Sequence, residues 1–190
     1  MAGRPRSIDR DKVLDAAEAL VVTTGAAALS FDAVAKAAGI TKGGVQYAFG
    51  TRDNLIRAMI TRWGKAFDAE VAARTGPDPS QRDLILAHLA ATRDADEAEH
   101  SRSAVMMTAL LQHPDQLSAA REWYNSRLSG LDLTAPGDRK LALAFLAGEG
   151  AFVLKAFSLI DLDGGAWTAL FEDLLATTEA GASDTGPPEG

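Results

Sequence analysis

Apolar residues recur along this chain at three- and four-residue intervals and almost never alternate, which predicts an all-helical fold without a sheet. A first helix is expected over roughly 9–24, with Val13, Ala17, Leu20 and Val21 on one face and Gly25 as its closing cap. Ser30 caps a second helix whose inward face is Phe31, Val34, Ala35 and Ala38. Gly39 makes the turn, and Thr41 caps a short third helix through about Ala48. A fourth opens after Thr51, carrying Leu55, Ile56, Met59, Ile60, Trp63 and Phe67 as its stripe. Gly76-Pro77-Asp78-Pro79 interrupts the pattern, so a fifth helix starts near Ser80 and runs into an acidic stretch, Asp94 to Glu99, read most simply as a solvated helix end, although a cationic inducer could use it. Four more are expected over roughly 101–112, 114–131, 139–160 and 166–180. Residues 181–190 are small, polar and proline-containing, the composition of a disordered tail.

The eighth helix is apolar almost all round. Leu141, Phe145, Gly148 and Phe152 form one face, and Leu146, Gly150, Val153, Phe157 and Ile160 another. Such a helix needs cover on two sides, one from its own core and one from a second copy of the chain. A twofold dimer follows, built as a four-helix bundle from helices eight and nine, with Gly148, Ala151, Trp167, Leu170, Phe171 and Leu174 at the interface. The run from Leu141 to Ile160 is not read as a membrane span, because Glu149 and Lys155 interrupt it.

Composition sharpens the picture in two ways. There is no cysteine, which removes disulfides, thiolate metal sites and cysteine nucleophiles, and no N-terminal apolar run marks a secretory leader; a cytoplasmic protein is expected. The net charge of −7 by itself argues against a nucleic-acid partner, but the charge is unevenly spread. Residues 1–65 hold ten Lys or Arg against six Asp or Glu, a formal +4, and the remainder holds nine against twenty, a formal −11. A DNA-facing N-terminal part and a phosphate-repelling body fit that division.

The segment Phe31 to Tyr47 reads as helix, glycine turn, helix, the arrangement that delivers its second helix to a DNA major groove. On the third helix an inward Val45 leaves Gly43 and Tyr47 on the opposite side, Gln46 lateral and Lys42 at the N-terminal edge. Gln46 suits adenine N6 and N7, Lys42 a guanine or a phosphate, and Tyr47 a phosphate or a thymine methyl, while Gly43 and Gly44 admit close backbone approach. Thr41 and Thr51 begin helices and are suited to hold phosphates. A purely structural helical hairpin is the bland alternative; the turn, the caps, the charge division and the outer-face chemistry all favour DNA. Arg4 and Arg6 could enter a minor groove as a basic arm, but a solubilising tail is favoured.

Ser30 to Leu55 resembles the DNA-binding signature of the tetracycline-repressor (TetR) family of bacterial regulators. The matching residues are the serine-capped helix, Val34-Ala35-Lys36-Ala37-Ala38-Gly39-Ile40, the Thr41-Lys42-Gly43 entry, Tyr47, Phe49 and Thr51-Arg52-Asp53-Asn54-Leu55. Two positions depart from the family pattern: Ala48 stands where many members have histidine, and Gly50 where lysine or proline is frequent, which weakens the hold on phosphate. The resemblance implies DNA-binding positions Ser30, Thr41, Lys42, Gly43, Gly44, Gln46, Tyr47, Thr51 and Arg52. It further implies a homodimer of about nine helices that represses a nearby gene from a palindromic operator and is released by a small-molecule inducer. The expected organisation is a helix-turn-helix domain over 1–50, a ligand-binding and dimerisation domain over 51–180 with helix four as connector, and the tail over 181–190.

Met106, Met107, Trp123, Phe145 and Phe152 could line a pocket for an apolar ligand, although apolar residues at helical spacing more often form core. His88, His100 and His113 show no metal-ligand spacing and read as surface or satisfied core. No phosphate loop, nucleophile elbow, HExxH or paired-carboxylate motif is present, so neither an enzyme nor a cofactor is expected. The competing function is a constitutive, non-specific DNA binder without a ligand, held to duplexes mainly through their phosphates.

Overall fold

The computed structural model describes residues 8–25, 28–111 and 114–179, and among them the regular structure is helical. The elements are α1 (Arg10–Thr24), α2 (Phe31–Ala38), α3 (Lys42–Phe49), α4 (Arg52–Ala73), α5 (Gln81–Asp94), α6 (Glu97–Leu111), α7 (Pro114–Leu128), α8 (Pro136–Ala156) and α9 (Gly164–Glu179). Arg4, Arg6, His113 and the tail expected over 181–190 lie outside the described residues.

Local chemistry sets the ends. Asp9, Ser30 and Thr41 each accept a hydrogen bond from a backbone N–H in the first turn of α1, α2 and α3. The acidic stretch at the end of α5 is largely exposed and also opens the next helix. Asp96 and Glu99 exchange backbone-to-carboxylate hydrogen bonds at 3.0 and 2.8 Å and so cap the start of α6, four residues before the expected position. Helix α8 likewise begins early, because Pro136 occupies its first turn, where a missing N–H costs nothing.

The chain divides into two compact units, 1–64 with 101–117 and 65–100 with 118–190. The first therefore reaches beyond the boundary expected at residue 50, and both α4 and α6 contribute to each unit. Its core joins Val13, Ala17 and Val21 of α1, Val34 and Ala35 of α2, Val45 and Phe49 of α3, Leu55, Ile56 and Met59 of α4, and Met106. Arg62 adds a polar clasp between α4 and α1, pairing with Glu18 and Asp15 at 2.8 Å each and donating to the Asp11 carbonyl. In the second unit Ile85, Leu89, Leu141, Ala144, Phe145, Trp167 and Phe171 form one cluster, with Val71, Ala87 and Ala91 in a smaller one.

Gly148 explains how closely α8 packs there. A Cβ at this position would stand 2.5 Å from Leu89 Cδ2 and 3.4 Å from Phe171 Cε1. Gly148, Trp167 and Phe171 are thus spent on the unit's own core, a correction to the interface expected for them. The large apolar residues of α8 that stay exposed are Leu143, Leu146 and Leu154, with Phe157 just past its end, joined on α9 by Leu170, while Ala151 and Leu174 are half-buried against the core. Among the described residues no helix is long and apolar enough to cross a membrane.

Candidate functional site

Helix α2 ends in a double hydrogen bond made by the turn. Gly39 takes φ 65° and ψ 31°, its N–H donates to the Lys36 carbonyl, and the N–H of Ile40 donates to the Ala35 carbonyl at 3.0 Å. This closure needs a left-handed residue at 39, which glycine adopts without the Cβ penalty. Thr41 follows and caps α3 by accepting from the Gly44 N–H at 3.1 Å. Helix α3 is then locked by its inner side: Val45 and Phe49 are buried in the first unit's core.

With those two residues inward, Lys42, Gly43, Gln46 and Tyr47 face solvent, and Tyr47 is 87% exposed although it is a large aromatic. Nothing in the fold requires an exposed tyrosine beside an exposed glutamine. Together they present an amide, a phenol and an ammonium on one short helix, the functional groups that read base edges and hold phosphates. Gly43 leaves the outer face open, with only Thr41 Oγ1 at 4.0 Å from the place of a Cβ. Gly44 does not share this role. A Cβ there would meet Ile8 Cδ1 at 3.3 Å and Ile40 Cδ1 at 3.5 Å, so its smallness serves packing.

The flanking positions are more engaged than the sequence suggested. Ser30 is exposed and accepts from the Ala33 N–H at 3.2 Å; Thr51 is exposed and accepts from the Asn54 N–H at 3.1 Å. Arg52 Nε donates to the Leu29 carbonyl at 2.7 Å, which ties the start of α4 to the loop before α2. Lys42 Nζ lies 2.8 Å from Asp32 Oδ2, an exposed ion pair from α3 to α2 that sequence reasoning missed, since a pair ten residues apart shows only when the turn is folded. Arg10 lies over the Phe49 ring at 4.4 Å and donates to the Ala48 carbonyl, fixing the end of α3.

The five residues expected to line a ligand pocket are divided between the two units. Met106 belongs to the core of the first, with Met107 half-buried there, whereas Trp123, Phe145 and Phe152 belong to the second. The second unit does carry an open groove of about 610 Å³ between α7 and α8, lined by Tyr124, Leu128, Phe145, Leu146, Val153 and Leu154 with Glu149 among them. Phe145 is the one expected residue on its wall. Trp123 packs behind it, donating from Nε1 to Asp68 at 2.9 Å, and Phe152 stacks on His100 with ring centroids 5.3 Å apart.

Of the two readings expected, surface or satisfied core, His88 and His100 take the core, each with one ring nitrogen satisfied. His88 Nε2 lies 2.5 Å from Glu149 Oε1, and His100 Nδ1 lies 2.7 Å from the Asp96 carbonyl. The second ring nitrogen of each has no partner among the described residues. Burial and the neighbouring Glu149 carboxylate, which accepts the Tyr124 hydroxyl, push the Tyr124 pKa well above the usual tyrosine range. A signal was legible in advance: Glu149 is the one acid in a run, Leu141 to Leu154, that is otherwise apolar.

A capped, glycine-turned pair of short helices with a polar outer face, carried by an otherwise helical chain, defines a DNA-binding regulator of the helix-turn-helix class. Residues 13–59 match the family model described as bacterial regulatory proteins, tetR family, and residues 82–179 match the tetracyclin repressor-like C-terminal domain. The chain belongs to the TetR family of bacterial transcriptional regulators.

Solved structures agree on the fold. A transcriptional regulator from Rhodococcus sp. Rha1 superposes with a TM-score of 0.72 at 18% identity, covering 95% of this chain and 100% of that one. A TetR-family regulator from Streptomyces coelicolor gives 0.67 at 18%, covering 92% and 94%, and the multidrug binding protein EbrR complexed with ethidium gives 0.63 at 23%, covering 90% and 99%. The comparison with curated proteins finds no match.

Proposed function

We propose that the protein is a homodimeric, cytoplasmic repressor that holds a palindromic operator through α3 and is released from it by a small molecule bound in the second unit. The observation that carries the DNA half is the pairing of buried Val45 and Phe49 with exposed Gln46 and Tyr47 on one two-turn helix. In that arrangement Gln46 addresses adenine edges, Tyr47 and Lys42 address thymine methyls or phosphates, and the ends of α2, α3 and α4 at Ser30, Thr41 and Thr51 offer phosphate sites. Two copies would place their α3 helices in successive major grooves, about 34 to 36 Å apart. Dimerisation is assigned to Leu143 of α8 and Leu170 of α9, 65% and 36% exposed in the single chain, an arrangement that a four-helix bundle would cover. The groove on the second unit supports the ligand half, as does the likeness of fold to EbrR, whose structures hold ethidium and imidazole.

The test is selection of bound duplexes from a random pool, followed by titration of the winner against wild type and the Gln46→Ala, Tyr47→Ala double variant. A palindromic winner is expected, bound roughly a hundredfold or more weakly by the double variant, because each side chain that no longer reaches its base costs about 1–3 kcal/mol. A pool with no enriched sequence would leave a non-specific DNA binder instead.

A further inference from the structure

We infer that Arg10, the first residue of α1, holds a phosphate of the DNA backbone at the carbonyl end of α3. It stands ahead of the segment 13–59 that carries the family match. The inference rests on the reading that α3 enters a major groove, and it names the side chain that meets phosphate at the far end of that helix.

Left to itself, the end of α3 is a poor neighbour for DNA. The last turn of a helix carries orphan carbonyls with partial negative charge, and α3 has no basic residue of its own there. Ala48 and Gly50 bring no polar side chain. The Gly50 N–H covers the Gln46 carbonyl at 2.8 Å. The Ala48 carbonyl is covered from another helix, by Arg10 Nη1, and the same guanidinium lies 4.4 Å from the centroid of the Phe49 ring. Helix α3 has eight residues, about 12 Å of length, and the groove it enters is about 12 Å wide. Both of its ends therefore come near bordering phosphates, and the charge at each end decides whether a phosphate is held or repelled. Arg10 reverses the sign at the carbonyl end.

Two observations assign the guanidinium to phosphate rather than to the fold alone. Its own helix gains nothing from it, because the first turn of a helix disfavours a cation, and neither flanking acid pairs with it: Asp9 turns instead to Lys12 at 3.8 Å. Arg10 is also exposed and forms no ion pair among the described residues, whereas Arg62, Arg74, Arg93 and Arg127 each meet a carboxylate. A guanidinium has five N–H donors; one serves Ala48, and the others keep the fork geometry that suits a phosphate. Phe49 is 4% exposed and anchored in the core, so the group stacked on it is held in place before DNA arrives and loses little freedom on binding.

The test titrates the full chain with the selected operator duplex and with a scrambled duplex of equal length, over a series of potassium concentrations. Arg10→Gln is expected to weaken both duplexes by a similar factor, about tenfold per subunit at about 0.1 M salt, and to lower the salt slope by about 0.9 per subunit, the signature of one counterion no longer released. Arg10→Lys keeps the charge and is expected to keep the wild-type slope. Should Arg10→Gln fail to fold by circular dichroism, Arg10→Met, which retains an apolar stem over Phe49, is expected to show the same loss of slope. A slope unchanged in Arg10→Gln or its Met substitute would overturn the inference and leave Arg10 as a support of α3. So would a loss confined to the operator duplex, which would make Arg10 a positioning residue for Gln46 and Tyr47. A wild-type chain that binds neither duplex would end the reading of α3 itself, whereas failure of the Arg10 assignment leaves wild-type binding in place.

Discussion

At the scale of single residues, the proposed DNA face carries an opposing acid. Lys42 is the one ammonium on the outer face of α3, and Asp32 already occupies it at 2.8 Å. Both side chains are more than half exposed, so the pair contributes only about 0–1 kcal/mol and yields readily to a phosphate. The carboxylate nevertheless opposes any phosphate that approaches. Asp32→Asn is expected to tighten operator binding several-fold and to steepen its dependence on salt by about one counterion per subunit. Titrations at a series of potassium concentrations check it; an unchanged slope would mean that Lys42 does not meet phosphate.

At the scale of elements, helix ends are set by short polar loops whose chemistry responds to acid. Helix α5 starts with a reciprocal cap in which the Ser80 hydroxyl and backbone N–H both donate to Asp83, at 2.6 and 2.9 Å. Donation from that hydroxyl, then from the N–H, holds the Asp83 pKa below its ordinary 3.8. A carboxyl with a depressed folded-state pKa favours the folded chain above its ordinary pKa, and that contribution is lost as pH falls through the depressed value. Asp83→Asn should therefore be less stable than wild type at neutral pH, with the gap narrowing on acidification. Urea midpoints followed from about pH 7 to about pH 3 decide the matter, and a gap that widens in acid would contradict it.

At the scale of the whole molecule, the division of charge and the uncovered apolar stripe each predict a partner. The +4 of residues 1–65 suits the proposed operator, while the −11 of the remainder disfavours phosphate. Leu143 on α8 and Leu170 on α9 are exposed in the single chain, so glutamate at both should leave the fold intact and oppose any apolar association between copies. The double variant is expected to sediment as a monomer with an unchanged helical circular dichroism signal. Its operator affinity should fall by about a hundredfold or more, because the second half-site no longer binds at high effective concentration. A wild-type chain that sediments as a monomer at micromolar concentration would end the dimer proposal.

The sequence by itself determined the helical class, the order of the elements, the helix-turn-helix and the residues on the outer face of α3. Those features rest on local physics. Caps at Ser30 and Thr41, the left-handed turn at Gly39 and the helical spacing of Val45, Gln46 and Tyr47 all act within a few residues. Tertiary structure decided what depends on pairs distant along the chain. It put Gly148, Trp167 and Phe171 into the second unit's core and left Leu143, Leu146 and Leu170 outside, a choice that a helix apolar on every side cannot announce. It turned Gly44 toward Ile8 and Ile40, tied Arg52 to Leu29, and set His88 against Glu149 from positions 61 residues apart. Periodicity gives the direction in which a side chain leaves its helix, whereas only packing decides whether another helix or open water waits there.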